Sequence, residues 1–88
     1  MKHYRNIVGG RIRALRQGHK WSQAKLAAKC QLIGWDITRD VIASVELRRR
    51  WVADAELLLF AKVLQVPLAD LYPGKLAVSE LLQMMQSE

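Results

Sequence analysis

The chain has 88 residues, a formal net charge of +6 and a single cysteine. That length suits one domain with a modest core and leaves no room for a separate sensor or catalytic domain. The charge is uneven: residues 1–50 hold twelve Lys/Arg against three Asp/Glu, a net +9, while residues 51–88 hold two against five, a net −3. A basic half joined to a mildly acidic one points to a polyanion-facing surface on a near-neutral support. Cys30, with no second cysteine, excludes an internal disulfide and suits a reducing compartment. The run Leu57-Leu58-Leu59-Phe60-Ala61 is far too short to span a membrane. Met1-Lys2-His3-Tyr4-Arg5 reads as a basic lead-in, not as a signal peptide.

Apolar spacing predicts a first helix over residues 6–17, with Ile7, Val8, Ile12 and Leu15 on one face and arginines around it. Gly9 and Gly10 each weaken its early turns by roughly 1 kcal/mol relative to Ala. Gly18 and Lys20 fit a helix stop. Ser22 is a good N-cap for a second helix, and Trp21 before it can staple onto Leu26. Leu26, Cys30 and Ile33 continue its apolar face to about Ile33, where Gly34 is a natural left-handed stop. Thr38 caps a third helix, expected over 38–48 and followed by three arginines. Ile37 staples this helix onto Ile42, and Ile42 and Val45 form its buried side. Its open side carries Arg39, Asp40, Ala43 and Ser44.

A fourth helix, from about Asp54 to Leu64, is apolar around most of its circumference and is expected at the centre of the core. Trp51 is expected to cover the core where that helix begins. Pro67 opens a short fifth helix through Leu71 or Tyr72, and Pro73-Gly74 ends it. A last amphipathic piece runs from Val78 to Met85. No strand-like alternation appears, so the fold class is all-α.

Several of these pieces match in order and spacing. They are Arg11-Ile12-Arg13-Ala14-Leu15-Arg16, Trp21-Ser22-Gln23-Ala24-Lys25-Leu26-Ala27, Ile37 to Glu46, and Leu58 to Tyr72. Together they resemble the Cro/phage-repressor (Xre) family of helix-turn-helix proteins. The resemblance implies a compact five-helix repressor-like bundle over residues 1–74, with residues 75–88 as a C-terminal amphipathic extension. It departs in one place. The family joins helices 2 and 3 by a tight turn soon after the position of Cys30, whereas here Gln31-Leu32-Ile33-Gly34-Trp35-Asp36 intervenes. An extra turn on helix 2 and a short loop at Gly34-Trp35-Asp36 would accommodate those residues.

What the resemblance implies is a cytoplasmic regulator of bacterial or phage type that inserts its third helix into the DNA major groove, acting as a repressor and as a homodimer. A groove-bound helix reads base edges with a few side chains near its N-terminus. In this chain these are Arg39, Asp40, Val41 and Ser44. Arg39 can donate twice to guanine. Asp40 can accept from cytosine or merely complement the helix N-terminus. Val41 can meet a thymine methyl or pack inward. Gln23, Lys25, Arg48, Arg49 and Arg50 are the phosphate contacts, and Arg16 with Glu46 resembles a structural ion pair. Leu76, Val78, Leu81, Leu82 and Met85 form either a dimer surface or a tail folded back on the core. No cofactor is expected. His3 and His19 have no second ligand at metal spacing, and no catalytic triad or phosphate loop is present. A second reading is an antitoxin that binds a cognate toxin and autoregulates its own operon. A third, a membrane-surface adaptor using the first helix, is disfavoured because that helix needs its apolar face for the core.

Overall fold

The computed structural model describes residues 5–86. Met1 to Tyr4, read above as the basic lead-in, and Ser87-Glu88 lie outside the described residues. Five α-helices follow one another: α1 (Gly9–Gly18), α2 (Gln23–Leu32), α3 (Arg39–Glu46), α4 (Asp54–Leu64) and α5 (Val78–Gln86), with a 3-10 turn at Leu68–Leu71 between the last two. The fold is all-α. Its core is built from Ile12 of α1, Leu26 and Cys30 of α2, Ile42 and Val45 of α3, Phe60 and Leu64 of α4, and Leu71, all fully enclosed. Burial pushes the Cys30 thiol up to about 11, so it is an inert space-filling group.

Two starts follow the expected caps. Ser22 Oγ accepts from the Lys25 amide at 3.0 Å, and Thr38 Oγ1 from the Val41 amide at 3.3 Å. α1 instead begins later than its periodicity suggests. Asn6 is buried, and its Oδ1 accepts from the amides of Val8 (3.2 Å) and Gly9 (2.8 Å), so the side chain takes the first helical donors. α4 opens on Ala53, whose amide donates to Glu56 Oε1 at 3.0 Å, the reciprocal half of a capping box.

The first four helices close in the same way. At the end of α1 the Trp21 amide donates to Arg16 O and the Lys20 amide to Gln17 O. At α2 the pairs are Trp35 to Cys30 and Gly34 to Gln31, at α3 Arg49 to Ser44 and Arg48 to Val45, and at α4 Val66 to Ala61 and Gln65 to Lys62. These are Schellman closures, each with a left-handed residue at the turn. Only the second uses glycine, Gly34 at φ 89°. Lys20, Arg48 and Gln65 hold φ of 61°, 60° and 62° as non-glycine residues.

Four other expectations need correction. The third helix ends at Glu46, not at residue 48, because Arg48 turns left-handed to close it. The fifth expected helix is the 3-10 turn Leu68–Leu71, too short for α-helical bonding after Pro67. Ile33 does not continue the core face of α2: it is the cap residue where the chain leaves the helix, and it is 53% exposed. Trp51 does not cover the core. It is 63% exposed, with the Arg5 guanidinium 4.4 Å from its ring centre.

Candidate nucleic-acid interface

α2 packs on α3, and α2 and α1 both pack on α4, so the pair α2–α3 rests on a common support. Ile42, Val45 and Glu46 turn inward from α3. Arg39 and Asp40 stand in its exposed first turn, with side chains 62% and 90% accessible and a 3.1 Å contact between them. Val41 and Ser44 are half-buried, Val41 packing against the core. Helical spacing puts Asp40 and Ser44 on one stripe, with Ser44 also a neighbour of Val41.

Glu46, at the other end of α3, is buried and accepts three hydrogen bonds from two partners. Arg16 Nε donates to its Oε2 at 2.7 Å and Arg16 Nη2 to its Oε1 at 2.9 Å, while Gln23 Nε2 donates to Oε1 at 3.1 Å. Arg16 Nη1 also donates to Trp21 O at 2.8 Å. Hydrogen bonding to Glu46 raises Arg16 above the ordinary arginine range, against burial acting the other way. One knot therefore joins α1, the start of α2 and the end of α3. Gln23 spends one amide hydrogen on it and keeps a second.

The cations after α3 divide. Arg49 and, on α2, Lys25 are exposed. Arg48 Nε donates to Asn6 O at 2.7 Å. Arg50 makes a two-point pair with Glu56, Nη1 to Oε1 at 3.0 Å and Nη2 to Oε2 at 2.8 Å. Sequence spacing gave no sign of either partner, since both are brought in by the fold. Asn6 was missed altogether. It is 2% exposed, and its Nδ2 donates to Val45 O at 2.8 Å and to Arg50 O at 3.1 Å, tying the start of α1 to the end of α3. A lone Asn before a helix is a common cap, and nothing local marks it as a tertiary tie.

Trp21 stacks on His19, with ring centres 4.2 Å apart, and Lys29 Nζ lies 5.3 Å from the Trp21 ring centre. His19 Nε2 lies 2.7 Å from Leu64 O. Because a carbonyl only accepts, that nitrogen carries the proton, and His19 is a structural donor at the end of α4. Among the described residues, no group of three or more His, Cys, Asp or Glu is placed to hold a metal ion, and no helix is long and apolar enough to cross a membrane.

Two helices joined end to end on the support of α1 and α4, the second with an open polar stripe, are the helix-turn-helix arrangement. The HTH_3 helix-turn-helix family model matches residues 12–71, about two thirds of the chain. The chain belongs to the Cro/C1-type helix-turn-helix (Xre) family. No curated protein and no solved structure matches it. This is a DNA-binding regulatory family, not an enzyme family, and the chain is a DNA-binding regulator of the Cro/C1 kind. The family match begins in α1 and ends at Leu71, so α5 lies beyond it.

Proposed function

We propose that this Cro/C1-type protein binds double-stranded DNA in a sequence-specific manner, as a repressor, with α3 in the major groove. The observation that carries this is the division of α3: Ile42, Val45 and Glu46 are buried, while Arg39 and Asp40 stand open in its first turn. Arg39, Asp40, Val41 and Ser44 read base edges. The Arg39–Asp40 contact is an exposed ion pair of little energy, easily exchanged for contacts to bases. Phosphates are held by the remaining amide hydrogen of Gln23, by Lys25 and the open N-terminus of α2, and by Arg49. Arg48 and Arg50 serve first as scaffold, through Asn6 and Glu56.

Residues 75–88 serve as a dimerisation extension to the DNA-binding unit 1–74. α5 contains no buried residue, and its Val78 is 72% exposed, with Leu82 and Met85 also open and Leu76 and Leu81 half-buried. Two copies joined there place two reading helices on a two-fold operator, which multiplies the specificity of one small head. Sedimentation of a Leu81→Lys, Leu82→Lys variant checks this. An unchanged dimer, or a monomeric wild type, removes α5 from the role.

Selection of bound duplexes from random DNA tests the main reading. The wild type is expected to enrich a two-fold motif, and Arg39→Ala and Ser44→Ala to lose or alter positions within it. A wild type that enriches nothing, or variants that enrich the same motif equally, overturns the assignment of α3.

A further inference from the structure

The connection between α2 and α3 is longer than a tight turn, yet it is attached at four points. Gly34 takes the left-handed conformation, and the Trp35 amide returns to Cys30 O at 3.1 Å. The Trp35 ring meets Phe60 of α4 edge-on, with centres 4.8 Å apart. The Ile37 amide closes a three-residue turn onto Trp35 O at 2.9 Å, and the Ile37 side chain is buried. The fourth attachment is a side chain: Gln31 Nε2, from the last turn of α2, donates to Ile37 O at 2.9 Å. Ile37 immediately precedes Thr38, the N-cap of α3.

We infer that Gln31 is a positioning residue for the reading helix: its amide, held on Ile37 O, sets the pose of the first turn of α3, where Arg39 and Asp40 stand. This rests on the reading of α3 as the groove helix. The pair α2–α3 is then closed at both ends by a glutamine amide, Gln23 on Glu46 at one end and Gln31 on Ile37 at the other. The hydrophobic anchors, Trp35 and Ile37, hold the loop to the core but leave it free to pivot about them. The Gln31 bond removes that pivot, because hydrogen-bond energy falls steeply with angle. Base-edge contacts need the same angular accuracy, whereas phosphate contacts through long side chains tolerate tilt. Loss of Gln31 should therefore reduce discrimination between sequences more than it reduces binding to DNA as such.

Gln31→Met tests this, since it keeps the length of an exposed side chain and removes the donating amide. Two measurements are made beside a thermal melt. In the free protein, the Val41 and Ile42 amides, which bond to Thr38, should exchange several-fold faster while the Leu26 amide is unchanged. On DNA, the ratio of affinities for the selected duplex and a scrambled one should fall roughly fivefold, the effect of one hydrogen bond. The scrambled-duplex affinity and its salt slope should not move. An unchanged ratio on a motif that the wild type does select overturns this inference alone, as does a loss shared equally by both duplexes. A wild type that selects no motif overturns it together with the reading of α3.

Discussion

The Cα of Gly9 faces the carbonyl oxygen of Val45 so closely that a Cβ built on Gly9 would overlap it. The same oxygen accepts from Asn6 Nδ2 at 2.8 Å, so the start of α1 is pressed onto the end of α3 and bonded there. Gly10, its neighbour, has no atom within reach of an added Cβ. Two glycines that helix propensity treats alike should thus respond in opposite directions. Gly10→Ala should stabilise by about 0.5–1 kcal/mol. Gly9→Ala should cost about 2 kcal/mol, because backbone must move to admit the methyl and the propensity gain is outweighed. Urea unfolding of the two variants decides it. Equal effects would mean that α1 can slide off α3 without loss.

Asn6 should be as sensitive as Gly9. It is 2% exposed and serves as donor twice and acceptor twice. Asn6→Leu would strand the Val8 and Gly9 amides at the start of α1 and take from Val45 O one of its two donors, the Arg48 amide being the other. A loss of about 3 kcal/mol is expected by chemical denaturation, since each unsatisfied buried group costs about 1–3 kcal/mol.

Gln65 closes α4 at φ 62° and is exposed. A side chain in that conformation costs roughly 1–2 kcal/mol, offset in part by the greater unfolded freedom of glycine. Gln65→Gly should stabilise by about 0.5 kcal/mol and raise Tm by a few degrees, whereas Gly34→Ala, at φ 89°, should lower it. Scanning calorimetry separates these signs. A lower Tm for Gln65→Gly would show that the Gln65 side chain contributes more than its backbone strain costs.

These positions also show where sequence reasoning stops. Ser22, Thr38 and Gly34 act through bonds a few residues away, so their residue type was enough to place α2 and the start of α3. The apolar faces of α2 and α4 were legible because Leu26, Cys30, Phe60 and Leu64 repeat at the helical period. Lys20, Arg48 and Gln65 carry no local mark of a left-handed turn, since the closing hydrogen bonds and not the residue type impose it. Arg48 and Arg50 looked alike in a run of three. Only the fold distinguishes them from Arg49, by bringing Asn6 and Glu56 to them. Ile33 looked like the next core position because the period was extended one residue beyond the helix that generates it.

The Arg16–Glu46 pair should behave as a buried ion pair. Glu46→Ala strands a guanidinium whose side chain is 10% exposed and also releases Gln23. Removing one partner of such a pair costs about 3–5 kcal/mol, a large share of the stability of a domain this size. Arg16→Met with Glu46→Leu removes both charges and should recover much of that loss. A double-mutant cycle by urea unfolding measures the coupling. Additive losses would show that the two charges are solvated independently.

Acid should destabilise the fold through Glu56. Its carboxylate takes both hydrogens of the Arg50 pair and the Ala53 amide at the head of α4, and Arg50 is the chief reason its pKa lies below the ordinary glutamate value. A depressed pKa in the folded state means that the unfolded chain takes up the proton first as pH falls. The stabilisation is therefore complete above the unfolded value of about 4.3 and disappears as pH drops through the lower, folded one. Glu56→Gln should accordingly cost about 1 kcal/mol near neutral pH, the net worth of such hydrogen bonds. The gap between wild type and variant should then narrow as pH falls below the ordinary glutamate value and close once pH has passed through the lower, folded one, where the wild-type carboxyl is itself protonated. Unfolding free energies measured from pH 7 to pH 3 give both limbs. A gap that stays constant across that range would mean that Glu56 acts through its shape and not its charge, and Arg50 would then be available to a phosphate.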